Sequence, residues 1–147
     1  MKLTHLFDYH ADLKEPQAVG RAQFGTRMIY DVTGGTFEGP RARGHVLPSG
    51  ADWLLIDDEG VGRLDVRATF ETDDGALIYM QYFGVVMLPS TDDEELIETQ
   101  YGDLYFMTQP RFETADERYA WLNGIVAVAQ GRTLPGAVEY RVYALEN

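Results

Sequence analysis

The sequence predicts an all-β fold, a single-domain antiparallel β-barrel of about eight to ten short strands. Three observations carry that reading. Asp58-Glu59-Gly60 and Asp73-Asp74-Gly75 each separate runs of β-forming residues, and such Asp/Gly pairs accept the positive φ that hairpin turns require. Val61 to Thr72 alternates strictly: Leu64, Val66, Ala68 and Phe70 fall on one side, and Arg63, Asp65, Arg67, Thr69 and Glu71 on the other. Neither a β-α-β alternation nor a fixed-period repeat interrupts the pattern. A sandwich would also satisfy it. Mostly short connections favour the barrel, because closure removes exposed strand edges.

The elements follow in order. Leu3 to Leu13 reads as a strand with Leu6, Asp8 and His10 on one face and His5, Phe7 and Tyr9 on the other. Pro16 and Gly20 mark a connection. Arg27 to Thr33 is rich in β-branched and aromatic residues and ends at Gly34-Gly35, a turn signal. Arg41 to Leu47 alternates and is closed by Pro48-Ser49-Gly50. Ala51 to Ile56 is a short strand carrying Trp53. After Val61–Thr72, the stretch Ala76 to Leu88 is apolar on both sides and is expected to be buried on both faces. Thr91 to Glu98 is an acidic insert, a loop or a single helical turn. Tyr101 to Met107 resumes as strand. Thr114 to Glu117 has the form of a capping box and predicts one short helix near 115–121. Leu122 to Ala129 and Val138 to Leu145 complete the strands, with turns at Gly131 and Pro135-Gly136.

Composition bounds the function. A chain of 147 residues that is 45% hydrophobic can bury a real core, and one domain spanning 1–147 is expected. The formal net charge of −12 repels phosphate backbones and anionic lipid, so neither nucleic acid nor membrane is expected as a partner. There is no cysteine, which excludes disulfides, thiolate metal sites and a cysteine nucleophile. The N-terminus is broken early by His5 and Asp8, and no segment approaches the roughly 20 apolar residues of a membrane helix. A cytoplasmic protein is the resulting expectation. A homodimer through an outer apolar patch is compatible with a barrel of this size.

The spaced set GGTFEGP, LPSGADW, LDVRATFETDDGALIY and PRFETADERYAWLN, followed by a basic and apolar final strand, resembles the family of domain of unknown function 3237, also termed uncharacterised protein family 0311. The resemblance runs from about Gly25 to Tyr143. It implies a single-domain antiparallel barrel with an interior cavity, similar to lipocalin-like and allene-oxide-cyclase-like barrels, and no one settled activity. Pro48-Ser49-Gly50 departs from the family's Pro-Gly-Gly, and the acidic insert stands to alter the mouth of the barrel.

Candidate chemistry centres on Asp65 and Arg67. Two residues apart on a strand, they face the same way. With an apolar outer layer they point into the barrel, where Asp65 would serve as a general base and Arg67 would hold it ionised or polarise a substrate oxygen. The alternative is an ion pair on a solvated outer face, and period alone does not choose between them. Tyr79 on the next strand, or His45 beside Arg43, would supply a proton. Each has a bland reading as well, packing for the tyrosine and a structural role for the histidine. Trp53, Tyr105, Phe112 and Trp121 would line an aromatic pocket or simply fill the core. Asn123 would bind ligand or tie down a turn. No histidine pair has metal-ligand spacing, and the acidic turns lack the twelve-residue calcium pattern. Neither a metal nor any cofactor is therefore expected. The sequence thus suggests a cofactor-free lyase, isomerase or cyclase acting on a small aromatic or enone-like metabolite. The alternative is a non-catalytic barrel that carries a small apolar molecule.

Overall fold

The computed structural model describes residues 1–89 and 96–147. Among these are ten strands: β1 (Lys2–Leu13), β2 (Gln17–Ala22), β3 (Gly25–Glu38), β4 (Arg43–Val46), β5 (Ala51–Ile56), β6 (Val61–Thr72), β7 (Leu77–Met87), β8 (Phe106–Glu113), β9 (Val126–Leu134) and β10 (Ala137–Glu146). Every strand pairing is antiparallel. Going round, β1 pairs β10, then β9, β8, β7 and β6. Next come β4 and β5, which both bridge β6 and β3 and together fill one position. β3 then returns to β1 and closes an eight-strand barrel. β2 pairs the first half of β3.

The apolar side of each barrel strand faces inward, whereas β2, outside the closed ring, buries none of its residues. Leu64, Val66, Ala68 and Phe70 of β6 are all buried, while Arg63, Arg67 and Glu71 are exposed. This overturns the inward placement of Asp65 and Arg67. The physical reason is simple: a small barrel has a lumen that side chains must fill, and burying Phe70 or Leu64 is worth about 1.5–3 kcal/mol each. Two lone charges there would be a cost instead.

The lumen is graded along its axis. At one end Phe7, Phe37, Phe70 and Phe112 form a ring cluster, with Phe37 and Phe70 stacked at 4.7 Å and Phe7 edge-on to the others at 5.5–5.9 Å. In mid-barrel the filling changes to Tyr9, Tyr82 and Tyr140. Toward the other end it thins to Leu13, Leu88, Leu96 and Val138, and an opening remains.

Several sequence expectations change. Gly34-Gly35 is not a turn, and β3 runs straight through it. Gly35, at φ +141°, lets β3 pass so close to β1 that a Cβ there would lie 1.9 Å from the His10 carbonyl oxygen. β7 is not buried on both faces: Leu77, Phe83 and Met87 are exposed on its outer side. The strand expected at Tyr101 begins only at Phe106, and Tyr101 and Leu104 form an isolated bridge. The expected helix is a 3-10 turn displaced to Ala120–Gly124. Thr114 accepts the Asp116 N–H but spends its own hydroxyl on the Leu77 carbonyl, anchoring the segment to β7. β9 starts at Val126 and continues through Gly131, which is inside the strand and not a turn. β2 lies where only a connection was expected. A bulge at Leu6 puts both His5 and His10 on the outer surface. Residues 91–95 of the acidic insert lie outside the described residues.

Candidate active site

A belt of polar side chains crosses the apolar lumen at one level. Cross-strand register builds it. Tyr30 of β3 pairs Asp52 of β5, Asp52 pairs Val66 of β6, and Val66 pairs Tyr82 of β7. On the other wall Tyr9 of β1 pairs Tyr140 of β10. Because side chains alternate with period two, partners in register point the same way, here inward. The Tyr9 and Tyr140 rings stack at 5.3 Å, and Tyr82 meets Tyr140 edge-on at the same distance.

The three tyrosines are fully buried, and burial is the main reason all three hydroxyls are held as phenols well above the ordinary tyrosine range. The Tyr82 hydroxyl lies between the other two and is hydrogen-bonded with that of Tyr140. Its contact with Tyr9 falls short of good hydrogen-bond geometry, so the buried Tyr9 hydroxyl has no full partner among the described residues. A buried hydroxyl left so is costly and marks a place where an oxygen could be received.

Asp52 is the acid of the belt. Burial pushes its carboxyl up to about 7, and the nearby Asp65 charge adds to the effect. The Asp65 backbone N–H and the Arg27 charge oppose it. The local backbone explains how a carboxylate is housed there. β5 and β6 pair at Ala51 and Asp52 and again at Leu55 and Ile56, with no pairing at Trp53 and Leu54. In this gap the Asp65 N–H donates to Asp52 Oδ1 at 3.2 Å, and the Trp53 carbonyl accepts from Arg27 Nη1 at 2.8 Å. Side chains thus satisfy backbone groups that the ladder leaves free.

Above the belt lies a chamber lined by Asp52, Tyr30, Leu64, Tyr82, Phe106 and Tyr140, among others. It leaves ≈ 40 Å³ for the centres of water-sized molecules, room for about three waters or one small functional group, since a single water needs about 10–15 Å³. A wider vestibule of ≈ 410 Å³ shares the walls Leu13, Tyr30 and Leu96 with it and is rimmed by Lys14, Glu15 and Pro135. The cavity therefore has a narrow inner end and a broader outer one.

The residues singled out from the sequence lie elsewhere. Asp65 and Arg67 are on the outer wall, with side chains 35% and 45% exposed and 3.8 Å apart. Tyr79 faces outward between Thr69 and Glu113. His45 is exposed on β4. Trp53 is on the outer face beneath the Arg67 guanidinium, 5.3 Å from its ring. Tyr105 is exposed, and Trp121 is covered by Arg41 at 3.6 Å. Phe112 is buried, but in the phenylalanine cluster away from the chamber. Asn123 bonds both the N–H and the carbonyl of Thr114 and so ties the turn. Asp52, Tyr9, Tyr82 and Tyr140 were not singled out. The available signal was Asp52 itself, an acid on the same face as Leu54 and Ile56 in an otherwise apolar strand.

Comparison with known proteins places this barrel among relatives. Residues 1–145 match a family described as "Protein of unknown function (DUF3237)". A UPF0311 protein of Rhodopseudomonas palustris is 33% identical over 125 residues, covering 83% of this chain and 82% of the relative. The crystal structure of a β-barrel-like protein from Acinetobacter baumannii superposes with a TM-score of 0.87 at 35% identity, over 99% of this chain and 96% of that one. A more distant structure, described as an enzyme from Penicillium herquei, has a TM-score of 0.74 at 22% identity, over 99% and 94% of the two chains, and shares the fold.

Proposed function

This chain belongs to the family of proteins of unknown function 3237, and on that barrel we propose a small-molecule enzyme that moves a proton within the lumen. The observation that carries the reading is one carboxyl, poised at about 7, set against buried phenolic hydroxyls in an otherwise apolar chamber. A general acid or base works best with its pKa near the operating pH. Phenols that resist ionisation are donors for a developing oxyanion, and they are strongest where water is excluded.

The proposed steps balance without a cofactor. The carboxylate form of Asp52 takes a proton from carbon next to a carbonyl, or from a phenol. Negative charge moves to the substrate oxygen, which accepts a hydrogen bond from the tyrosine belt. The protonated Asp52 then returns the proton to a different atom, giving isomerisation or cyclisation, or to a leaving group, giving elimination. The chamber admits only a small carbonyl or enone end. The remainder of the substrate, aromatic or aliphatic, would rest against Leu13, Tyr30, Leu96 and Pro135. That one fold-sharing neighbour is described as an enzyme is in keeping with this reading.

Turnover of enones and hydroxyaryl ketones by wild type, Asp52→Asn and Tyr82→Phe tests it. Loss of at least about 10²-fold in Asp52→Asn is expected. Equal turnover in that variant and the wild type would remove Asp52 from the chemistry. The mostly apolar lining equally suits a carrier. Native mass spectrometry separates the two: a retained molecule released unchanged after incubation favours carriage.

A further inference from the structure

Asp65 lies outside the chamber, yet three features connect it to Asp52. Its backbone N–H holds Asp52 Oδ1 at 3.2 Å. It sits at the interruption of the β5–β6 ladder, the place where the wall between the two side chains lacks its usual backbone hydrogen bonds. Its own carboxylate is divided: the side chain is 35% exposed, but Oδ1 is enclosed and has no hydrogen-bond partner among the described residues. The nearest cation, Arg67 Nη2, is 3.8 Å from that oxygen, too far for a hydrogen bond, and the same guanidinium is also drawn over the Trp53 ring.

A strand residue that merely decorated a solvated face would turn both oxygens to water or close a full ion pair. An enclosed, unsatisfied carboxylate oxygen beside a gap in the wall leaves the inner half of its charge unmatched by water or a hydrogen-bonded cation, so that half acts across the gap on Asp52. We infer that Asp65 is a positioning residue for Asp52, orienting the inner carboxyl through its N–H and governing its protonation from the outer face of the barrel. The inference rests on Asp52 as the titrating group of the chamber.

Other ionisable groups also face Asp52 and set the baseline: Tyr9 from β1, Arg27 and Tyr30 from β3, Tyr82 from β7 and Tyr140 from β10. The Asp65 N–H and Arg27 favour the carboxylate, and the Asp65 charge opposes it. Tyr9, Tyr82 and Tyr140 stay neutral through the range in which Asp52 titrates. Asp65 and Arg67 are therefore the local charges on the β6 side.

The test needs no substrate. Protein labelled with ¹³C at the aspartate carboxyl carbons is titrated by NMR, and the Asp52 signal is assigned by its loss in Asp52→Asn. In the wild type its midpoint is expected at about 7. Asp65→Asn keeps the N–H but removes the charge, and should lower the midpoint by roughly one pH unit. Asp65→Glu restores a charge on the same face and should bring it most of the way back. If Asp65→Asn does not fold, Asp65→Thr makes the same charge deletion with a good strand former. An unchanged midpoint in the charge-deleted variant would overturn the inference. So would a Glu variant that shifts as far as the Asn one. Failure of the enzymatic proposal would show in turnover alone and would leave this titration intact.

Discussion

Replacing Asp52 by asparagine should make the protein more stable, most of all above neutral pH and progressively less as the pH falls toward 4. The unfolded chain ionises this carboxyl near 3.8, whereas the folded protein holds the proton to about 7. Between those values the folded state binds more protons than the unfolded one, so stability falls as pH rises through the interval, and the whole loss is in place above it. A difference of roughly three units, at 1.36 kcal/mol each, bounds the effect at ~4 kcal/mol. Asparagine cannot ionise, is nearly isosteric, and still offers an oxygen to the Asp65 N–H. The assay is urea unfolding of wild type and Asp52→Asn at pH 5 and pH 8.5, followed by tryptophan fluorescence. Other titrating groups contribute alike to both proteins and cancel in the double difference. About two of those units lie between pH 5 and the folded value, so a variant advantage about 2–3 kcal/mol larger at pH 8.5 than at pH 5 is expected. The same advantage at both pH values would refute the claim that Asp52 is buried against its charge.

Two further outcomes follow from the packing. Tyr9→Phe removes a buried hydroxyl without a full partner and should be neutral or stabilising by up to about 1 kcal/mol in urea unfolding. The same change should lower turnover if the belt receives a substrate oxygen. Phe70→Ala empties the centre of the ring cluster, where Phe70 is 0% exposed and touches Phe7, Tyr9 and Phe37. It should cost about 3–5 kcal/mol, read as a drop in the urea midpoint.

Local pattern was readable in the chain wherever local chemistry decides. The bounds of Val61–Thr72 and Ala51–Ile56 followed from alternation and flanking turns, and the structure has strands over the same residues. Period two separates two faces but does not say which one a closed sheet turns inward. That single ambiguity displaced the site. Once the apolar side of β6 is taken as the filling of the lumen, register alone carries Val66 to Asp52 on one side and Tyr82 on the other. Long-range pairing of this kind is what a single sequence does not display. Gly34-Gly35 shows the same limit: glycine there answers to the close passage of β1, a neighbour over twenty residues away in the chain, and not to a local reversal.

The joint between β8 and β9 has a mechanical consequence. These strands pair at only Met107–Gln130 and Thr108–Ala129, and Pro110, which has no N–H to contribute, follows two residues on. Other joints hold more partners, up to the eleven from Val61–Met87 to Glu71–Leu77. A hoop under strain yields at its weakest fastening. Parting the staves beside Phe106 and Gly131 would break only these two pairings and leave every long ladder whole, so the girth of this barrel rests on one short stitch.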